Sequence, residues 1–483
     1  MSKAEKWNSI IVGVLTNILG AGAMFLTTIY LTRSVDPVVY GEFRLAFSFV
    51  SLLVLLLLFG RDNGIIFYTQ KKQSIYELEK IISDETLFAF LTLLVSVIVM
   101  AFLKNPVIRI IFNNQIKENN YLLSLLMIPF WGIFNMGIAG LKAKNLINYS
   151  FKLTNLFQRL IRIPFFIILV FLNPNFISLT LSMILSQIIL IMLIMKKLPS
   201  LIKVRKFKIN EFLLRFNYSF KLGLSAILFV MLSKLDLIML GNLTNLENVA
   251  VYDVCILLSF IVVFPYTALV KSTEPEMGNV ANDSSLLTRY YKNMEIAILT
   301  ASIITIIILL NSKNILSIFG NEYEIGRNTL LILTIGFMFI NLLASPLEFL
   351  NMNELVNKTL YILLFTIVLN IGLNLMLVDY YGMSGAALAT IISLLFSKSI
   401  ASFVVFNKLS IKLISKHSVF QFASLLIVLL IHIFLENAGL LHLQSLVDKV
   451  LYQFSLLSLT LISQILINPR IKQPIMNLTK FLK

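Results

Sequence analysis

Six basic side chains lie inside long apolar runs of this sequence: Arg61, Arg159, Arg162, Lys221, Lys234 and Lys398. A cation at the centre of a bilayer costs at least ~2.5 kcal/mol even on insertion scales. An anion offsets that cost, because an arginine meeting a diphosphate gains charge-assisted, often bidentate hydrogen bonds. The densest instance is Asn155, Gln158, Arg159 and Arg162, spaced i, i+3, i+4 and i+7, which puts all four on one helical face. The apolar run that follows, Ile163 to Leu172, is too short to cross about 30 Å of hydrocarbon by itself. The helix therefore has to reach back to about Leu153. That carries both arginines roughly two turns into the membrane, with Pro164 as a kink beside them. Such a stripe faces a wet cavity or a partner; the competing reading has both arginines snorkelling to the headgroups.

The other buried charges are less concentrated. Arg61-Asp62-Asn63-Gly64 interrupts an apolar run that resumes at Ile65, so Arg61 is a candidate phosphate ligand and Asp62 a candidate gate or coupling-ion residue. The same four residues also read as the loop where a helix ends. Lys221 lies near one end of a later run, and Lys234 with Asp236 near the other. Residues two apart do not share a helical face, so Lys234 and Asp236 each need another partner or water, and Asp236 joins Asp62 as an ion-coupling candidate. Lys398 stands about two turns from Asn407, within snorkelling reach or in a cavity. Asn370 and Asn374, at i and i+4, suit interhelical hydrogen bonding better than sugar binding. Gly13, Asn17 and Gly20 suit close helix packing.

The elements that must position these groups follow from composition. Of 483 residues 58% are hydrophobic and 13% charged, with a mean hydropathy of +0.88. This excludes a water-soluble enzyme. Spans are expected at 10–31, 43–68, 85–103, 121–141, 153–172, 176–195, 216–240, 248–270, 294–311, 327–347, 359–378, 383–406, 419–435 and 448–468, fourteen in all. The first follows a short basic segment and lacks a small-residue cleavage motif, so it is expected to be retained. Alternate loops hold 26 and 8 Lys and Arg, Arg44 being counted with the poorer set. That asymmetry places both termini in the cytoplasm. The net charge of +16 thus reports loops, with no nucleic-acid partner. A single cysteine, Cys255, and three histidines argue for no metal site. No Walker-type segment is present, so ATP is not the direct energy source and no cofactor is expected.

The basic loop 196–215 divides the chain after the sixth span. A shift of 209 residues lays Tyr40-Gly-Glu-Phe-Arg-Leu-Ala on Val249-Ala-Val-Tyr-Asp-Val-Cys, weakly but at equivalent places in two halves. Six spans per half give both copies the same orientation, a transporter architecture with its site between the halves. The expected divisions are 1–205 (spans 1–6), 206–410 (spans 7–12) and 411–483 (spans 13 and 14).

The stretch Leu26-Thr-Thr-Ile-Tyr-Leu-Thr-Arg-Ser-Val-Asp-Pro-Val-Val-Tyr-Gly-Glu-Phe resembles the opening of bacterial polysaccharide-repeat-unit flippases, where a Leu-Thr-Arg-like segment precedes Pro-x-x-Tyr-Gly-x-Phe. Leu235-Asp-Leu-Ile-Met-Leu-Gly-Asn resembles the end of that family's seventh helix, and Tyr381-Gly-Met-Ser-Gly-Ala-Ala-Leu-Ala-Thr the start of its twelfth. The family belongs to the multidrug/oligosaccharidyl-lipid/polysaccharide exporter superfamily. The resemblance implies an all-α polytopic protein of two six-helix lobes around a central cavity plus two C-terminal helices. It implies a flippase that moves an undecaprenyl-diphosphate-linked oligosaccharide from the inner to the outer leaflet for O-antigen or capsule assembly, with a polysaccharide polymerase and a chain-length regulator as partner proteins in the same bilayer. Two rivals stay open. A multidrug antiporter of the same fold should carry acidic cavity residues, whereas the spans here carry more Lys and Arg than Asp and Glu. A membrane polymerase or ligase needs catalytic groups on a substantial outer loop, and the longest loops here are about twenty residues.

Overall fold

The computed structural model describes residues 3–70, 75–201, 209–270, 273, 284–437 and 446–467. Among the described residues all regular structure is helical. Apolar runs of this length demand that, because in hydrocarbon a helix satisfies every backbone hydrogen bond within its own segment. In chain order the helices are α1 (Lys3–Ser34), α2 (Pro37–Leu58), α3 (Arg61–Gln70), α4 (Ile75–Phe102), α5 (Lys104–Ile110), α6 (Glu118–Leu125), α7 (Met127–Ala143), α8 (Ile147–Phe151), α9 (Gln158–Leu172), α10 (Phe176–Lys197), α11 (Ile209–Leu243), α12 (Leu246–Ser259), α13 (Phe264–Leu269), α14 (Ser284–Ser317), α15 (Arg327–Leu342), α16 (Pro346–Met352), α17 (Val356–Tyr381), α18 (Met383–Leu409), α19 (Lys416–Asn437) and α20 (Leu446–Ile467). Among the described residues eleven segments are long and apolar enough to cross a membrane. The fourteen expected spans fall on helical segments, but 43–68, 121–141, 248–270 and 327–347 are each divided between two helices, α11, α19 and α20 are not among the eleven, and the apolar part of α19, Lys416–Ile431, is short.

The chain forms two compact units. The first comprises Met1–Val254 with Ile318–Tyr323 and Ile371–Ala386; the second comprises Cys255–Ser317, Glu324–Asn370 and Ala387–Lys483. In the first, Leu45, Val54, Leu58, Ile65, Phe112 and Leu141 are almost wholly buried. Three local features shape it. Asp36 accepts from the Val38 N–H at 2.8 Å and Pro37 opens α2, a pairing that fixes the helix start. Gly41 lies against the beginning of α12, where a Cβ would stand 1.9 Å from the Leu246 carbonyl oxygen. The Asp36, Pro37 and Gly41 positions of the opening motif are thus a cap and a close approach.

The second feature is the break after α2, where the expected span 43–68 divides. Phe59 (φ 50) and Gly60 (φ 71) are left-handed and α3 restarts at Arg61. Here Gly60 also touches Gly223 of α11, with a Cβ on either residue placed under 2.6 Å from the other's Cα. The third feature is a π turn, Lys152–Phe157, at the head of the fifth expected span.

In the second unit α14 packs against α15, α19 and α20, and buried or half-buried polar pairs hold the C-terminal helices to it. Ser415 Oγ donates to Glu295 at 2.7 Å, Gln464 Nε2 to Ser302 Oγ at 3.0 Å, and Gln453 Nε2 to Asn311 Oδ1 at 2.9 Å. Asn311 sits at a kink in α14 with φ −116°. Hydrogen bonds of this kind hold helices together where apolar packing against lipid gives no net drive.

Candidate functional site

Three basic side chains gather in the first unit around two aromatic rings, with Arg159 beside one of them. Phe47 of α2 and Trp131 of α7 meet edge to face with centroids 5.1 Å apart. The Arg162 guanidinium stands 5.1 Å from the Trp131 ring. Arg44 and Lys234 lie 5.8 and 5.9 Å from the Phe47 ring. Arg159 and Arg44 are both close enough to Arg162 to repel its charge, and Arg44 repels Lys234 likewise. Cation–π contacts contribute about 0.5–2 kcal/mol each and do not neutralise charge. Among the described residues no carboxylate pairs with Arg159, Arg162 or Lys234, while Asp253 of α12 pairs with Arg44. The site therefore holds four positive groups against one negative.

The hydrogen bonds leave donors over. With its amide oriented to satisfy both ends, Gln158 accepts from Arg162 Nη2 at 2.9 Å and from Gln187 Nε2 at 3.1 Å, and donates to the Thr154 carbonyl at 3.2 Å. Arg162 Nε, Arg159 Nη1 and Arg44 Nε are buried without a partner. A buried orphan donor costs about 1–3 kcal/mol, more when charged, so three such donors on neighbouring cations leave this region with hydrogen-bonding capacity for acceptors from outside the chain.

The expected stripe is kept in part. Gln158, Arg159 and Arg162 act together, but the π turn is wider than an α turn, so the i, i+3, i+4, i+7 register does not carry through Asn155. Its side chain instead lies 3.3 Å from Thr154 Oγ1, and its backbone packs against Gly20 of α1, beside Arg159. The packing role expected of Gly20 follows directly. A Cβ there would stand 1.8 Å from the Asn155 carbonyl oxygen.

Arg61 and Lys398 are not in this cluster; each meets the end of a helix. Arg61 is fully buried and donates to the Leu58 carbonyl at 3.0 Å, the Leu57 carbonyl at 2.8 Å and Thr92 Oγ1 at 3.1 Å, with its guanidinium 4.9 Å from the Phe88 ring. It closes the C-terminus of α2, where orphan carbonyls and the helix dipole favour a cation. In the second unit Lys398 Nζ donates to the Ala344 carbonyl at 2.6 Å and the Ile340 carbonyl at 3.3 Å, 5.0 Å from the Tyr266 ring, at the end of α15. We expect Arg61→Ala to destabilise the protein by about 2–3 kcal/mol, seen as a lower melting temperature in detergent, with Arg61→Lys between the two. An unchanged melting temperature for Arg61→Ala would contradict the capping role.

The two acids are also engaged in local structure. Asp62 is half-buried in the first turn of α3, where a carboxylate suits the helix N-terminus. Asp236 is buried and accepts from Asn374 Nδ2 of α17 at 3.2 Å, the interhelical bond expected of that asparagine. The Lys221 side chain lies outside the described residues.

Arg44, Asp253, Tyr40, Phe47 and Trp131 do not stand out as site residues in the sequence. Arg44 reads as a loop residue because it stands near the start of a span. The signal is nevertheless present: the 209-residue shift sets Arg44 opposite Asp253, and these two form the ion pair.

The comparisons agree on fold. A family model described as polysaccharide biosynthesis protein matches residues 7–270, and one described as MatE matches residues 222–376. No curated protein matches the chain. Among solved structures, the lipid II flippase MurJ in an inward closed conformation superposes with a TM-score of 0.68 at 15% identity, covering 97% of this chain and 98% of that one. The MATE multidrug transporter DinF-BH gives 0.63 at 14% identity over 84% and 96%. A MOP superfamily transporter from Pyrococcus furiosus, described by a reverse polarity of its binding pocket, gives 0.56 at 12% identity over 83% and 95%.

Proposed function

Because the chain belongs to the polysaccharide biosynthesis protein family, a MOP-superfamily group of membrane transporters, we propose that it is a flippase for undecaprenyl-diphosphate-linked oligosaccharide repeat units. The single observation that carries this reading is the cluster of Arg44, Arg159, Arg162 and Lys234 with Asp253 as its one paired acid. Its unpaired donors suit a diphosphate, which offers several acceptor oxygens to planar guanidinium forks. An organic cation would meet net repulsion there, which disfavours the antiporter reading.

In this account the headgroup enters from the cytoplasmic leaflet and the diphosphate settles on Arg159, Arg162 and Lys234 while the polyprenyl tail stays in lipid. Rocking of two six-helix lobes, residues 1–205 and 206–410, then delivers the sugar outward for O-antigen or capsule assembly. The protein would sit in the bacterial inner membrane with both termini cytoplasmic, alongside a polymerase and a chain-length regulator. Arg61 and Lys398 act in it as helix caps, and the coupling ion is left to Asp62 or Asp236.

Thermal shift tests the substrate class, since a ligand that binds only the folded state stabilises it by mass action. Undecaprenyl diphosphate should raise the melting temperature of the purified protein and undecaprenol, its phosphate-free counterpart, should not. Equal shifts from both lipids, or a shift from an organic cation alone, would overturn the reading.

A further inference from the structure

Arg44 and Asp253 are 209 positions apart, the spacing of the internal repeat, so the pair joins equivalent points of two copies. Its geometry is lopsided. Both carboxylate oxygens of Asp253 are engaged, Oδ1 by Arg44 Nη2 and Oδ2 by the Tyr40 hydroxyl at 3.0 Å. The guanidinium, by contrast, makes this one hydrogen bond among the described residues, and its buried Nε has no partner. A structural ion pair in low dielectric is favourable when the remaining donors are satisfied. Here Nε is not, and the Arg44 guanidinium shares the Phe47 ring with Lys234 and lies within electrostatic reach of Arg162.

Resting on the diphosphate reading above, we infer that Arg44 is a further phosphate-contacting residue and that Asp253 is its internal stand-in ligand, occupying the guanidinium with a carboxylate until a phosphate oxygen displaces it. Asp253 and the diphosphate then compete for one cation. Tyr40 is the positioning residue that keeps the carboxylate aimed at Arg44. The competition lowers affinity in the empty state, and it gives the site an anion to hand Arg44 back to when the cargo leaves.

The test uses the fluorescence of Trp131, which stands against Arg162 and Phe47. The chain has two tryptophans, so Trp7→Phe leaves Trp131 as the reporter. In nanodiscs titrated with undecaprenyl diphosphate, Asp253→Asn should lower the apparent Kd about tenfold, and Arg44→Gln should raise it about tenfold. The double variant should match Arg44→Gln alone, because a competitor matters only while the residue it competes for is present. Asparagine has the shape of aspartate and can still accept from Tyr40, but it leaves the Arg44 charge unpaired, a stability cost that size-exclusion behaviour monitors and that the double variant, which removes both charges, controls for. An unchanged or weaker affinity for Asp253→Asn overturns the inference. So does tighter binding by Asp253→Asn that persists without Arg44, since that is bulk electrostatics. If the Trp7→Phe parent itself does not respond to the lipid, the substrate reading fails and this inference with it; a parent that responds with the wrong pattern among the variants overturns the inference alone.

Discussion

Arg162→Ala is expected to lower the initial rate of lipid-linked oligosaccharide translocation at least about a hundredfold at matched protein density in proteoliposomes. Removing one partner of a buried, hydrogen-bonded charge contact costs about 2–5 kcal/mol, and each 1.4 kcal/mol is a factor of ten. Arg162 should show the larger end of that range because three features meet on it. Gln158 holds one Nη by accepting from it, Trp131 supports the guanidinium face, and Nε is left over for a ligand. Arg162→Lys keeps the charge but loses the planar fork, and should recover part of the rate. A rate for Arg162→Ala within threefold of wild type would remove this residue from the substrate site.

The second large effect concerns folding. Gly223→Leu should abolish monodisperse protein in detergent, because a Cβ at Gly223 would stand 2.2 Å from the Gly60 Cα and 2.8 Å from its nitrogen. Both obstacles are backbone, and Gly60 is fixed by its φ of 71° at the break between α2 and α3. Neither can swing aside as a flexible side chain would. Overpacking of this kind costs about 3 kcal/mol or more, and it separates α11 from the α2–α3 break that Arg61 closes. Gly372→Leu is the matched control, since nothing lies within 4 Å of a Cβ there. Size-exclusion profiles and melting temperatures of the two variants decide it. Comparable profiles would mean that the helices yield more easily than their contact implies.

These two residues also show what the sequence makes legible. Apolar run length locates the helices, because a bilayer imposes it. The cation excess of the spans picks out Arg159, Arg162 and Lys234 for the same reason, the cost of burying charge. Gly60 is legible only as a neighbour of a polar interruption, since its contact with Gly223 is a tertiary fact. Asn155 is misplaced because a π turn changes the register that i, i+4 counting assumes. Arg61 and Lys398 read as ligand candidates because sequence shows that a cation is buried and not whether helix-end carbonyls already receive its hydrogen bonds. Arg44 and Asp253 fail differently. The alignment of the two copies pairs them, yet a weak repeat reads as a sign of architecture and not as a contact.

The most direct measurement is leaflet translocation in protein-containing vesicles, comparing a labelled undecaprenyl-diphosphate oligosaccharide with an organic cation dye. The account predicts protein-dependent movement of the lipid-linked oligosaccharide, competed by unlabelled undecaprenyl diphosphate, and no movement of the dye. Transport of the dye with none of the oligosaccharide would contradict it.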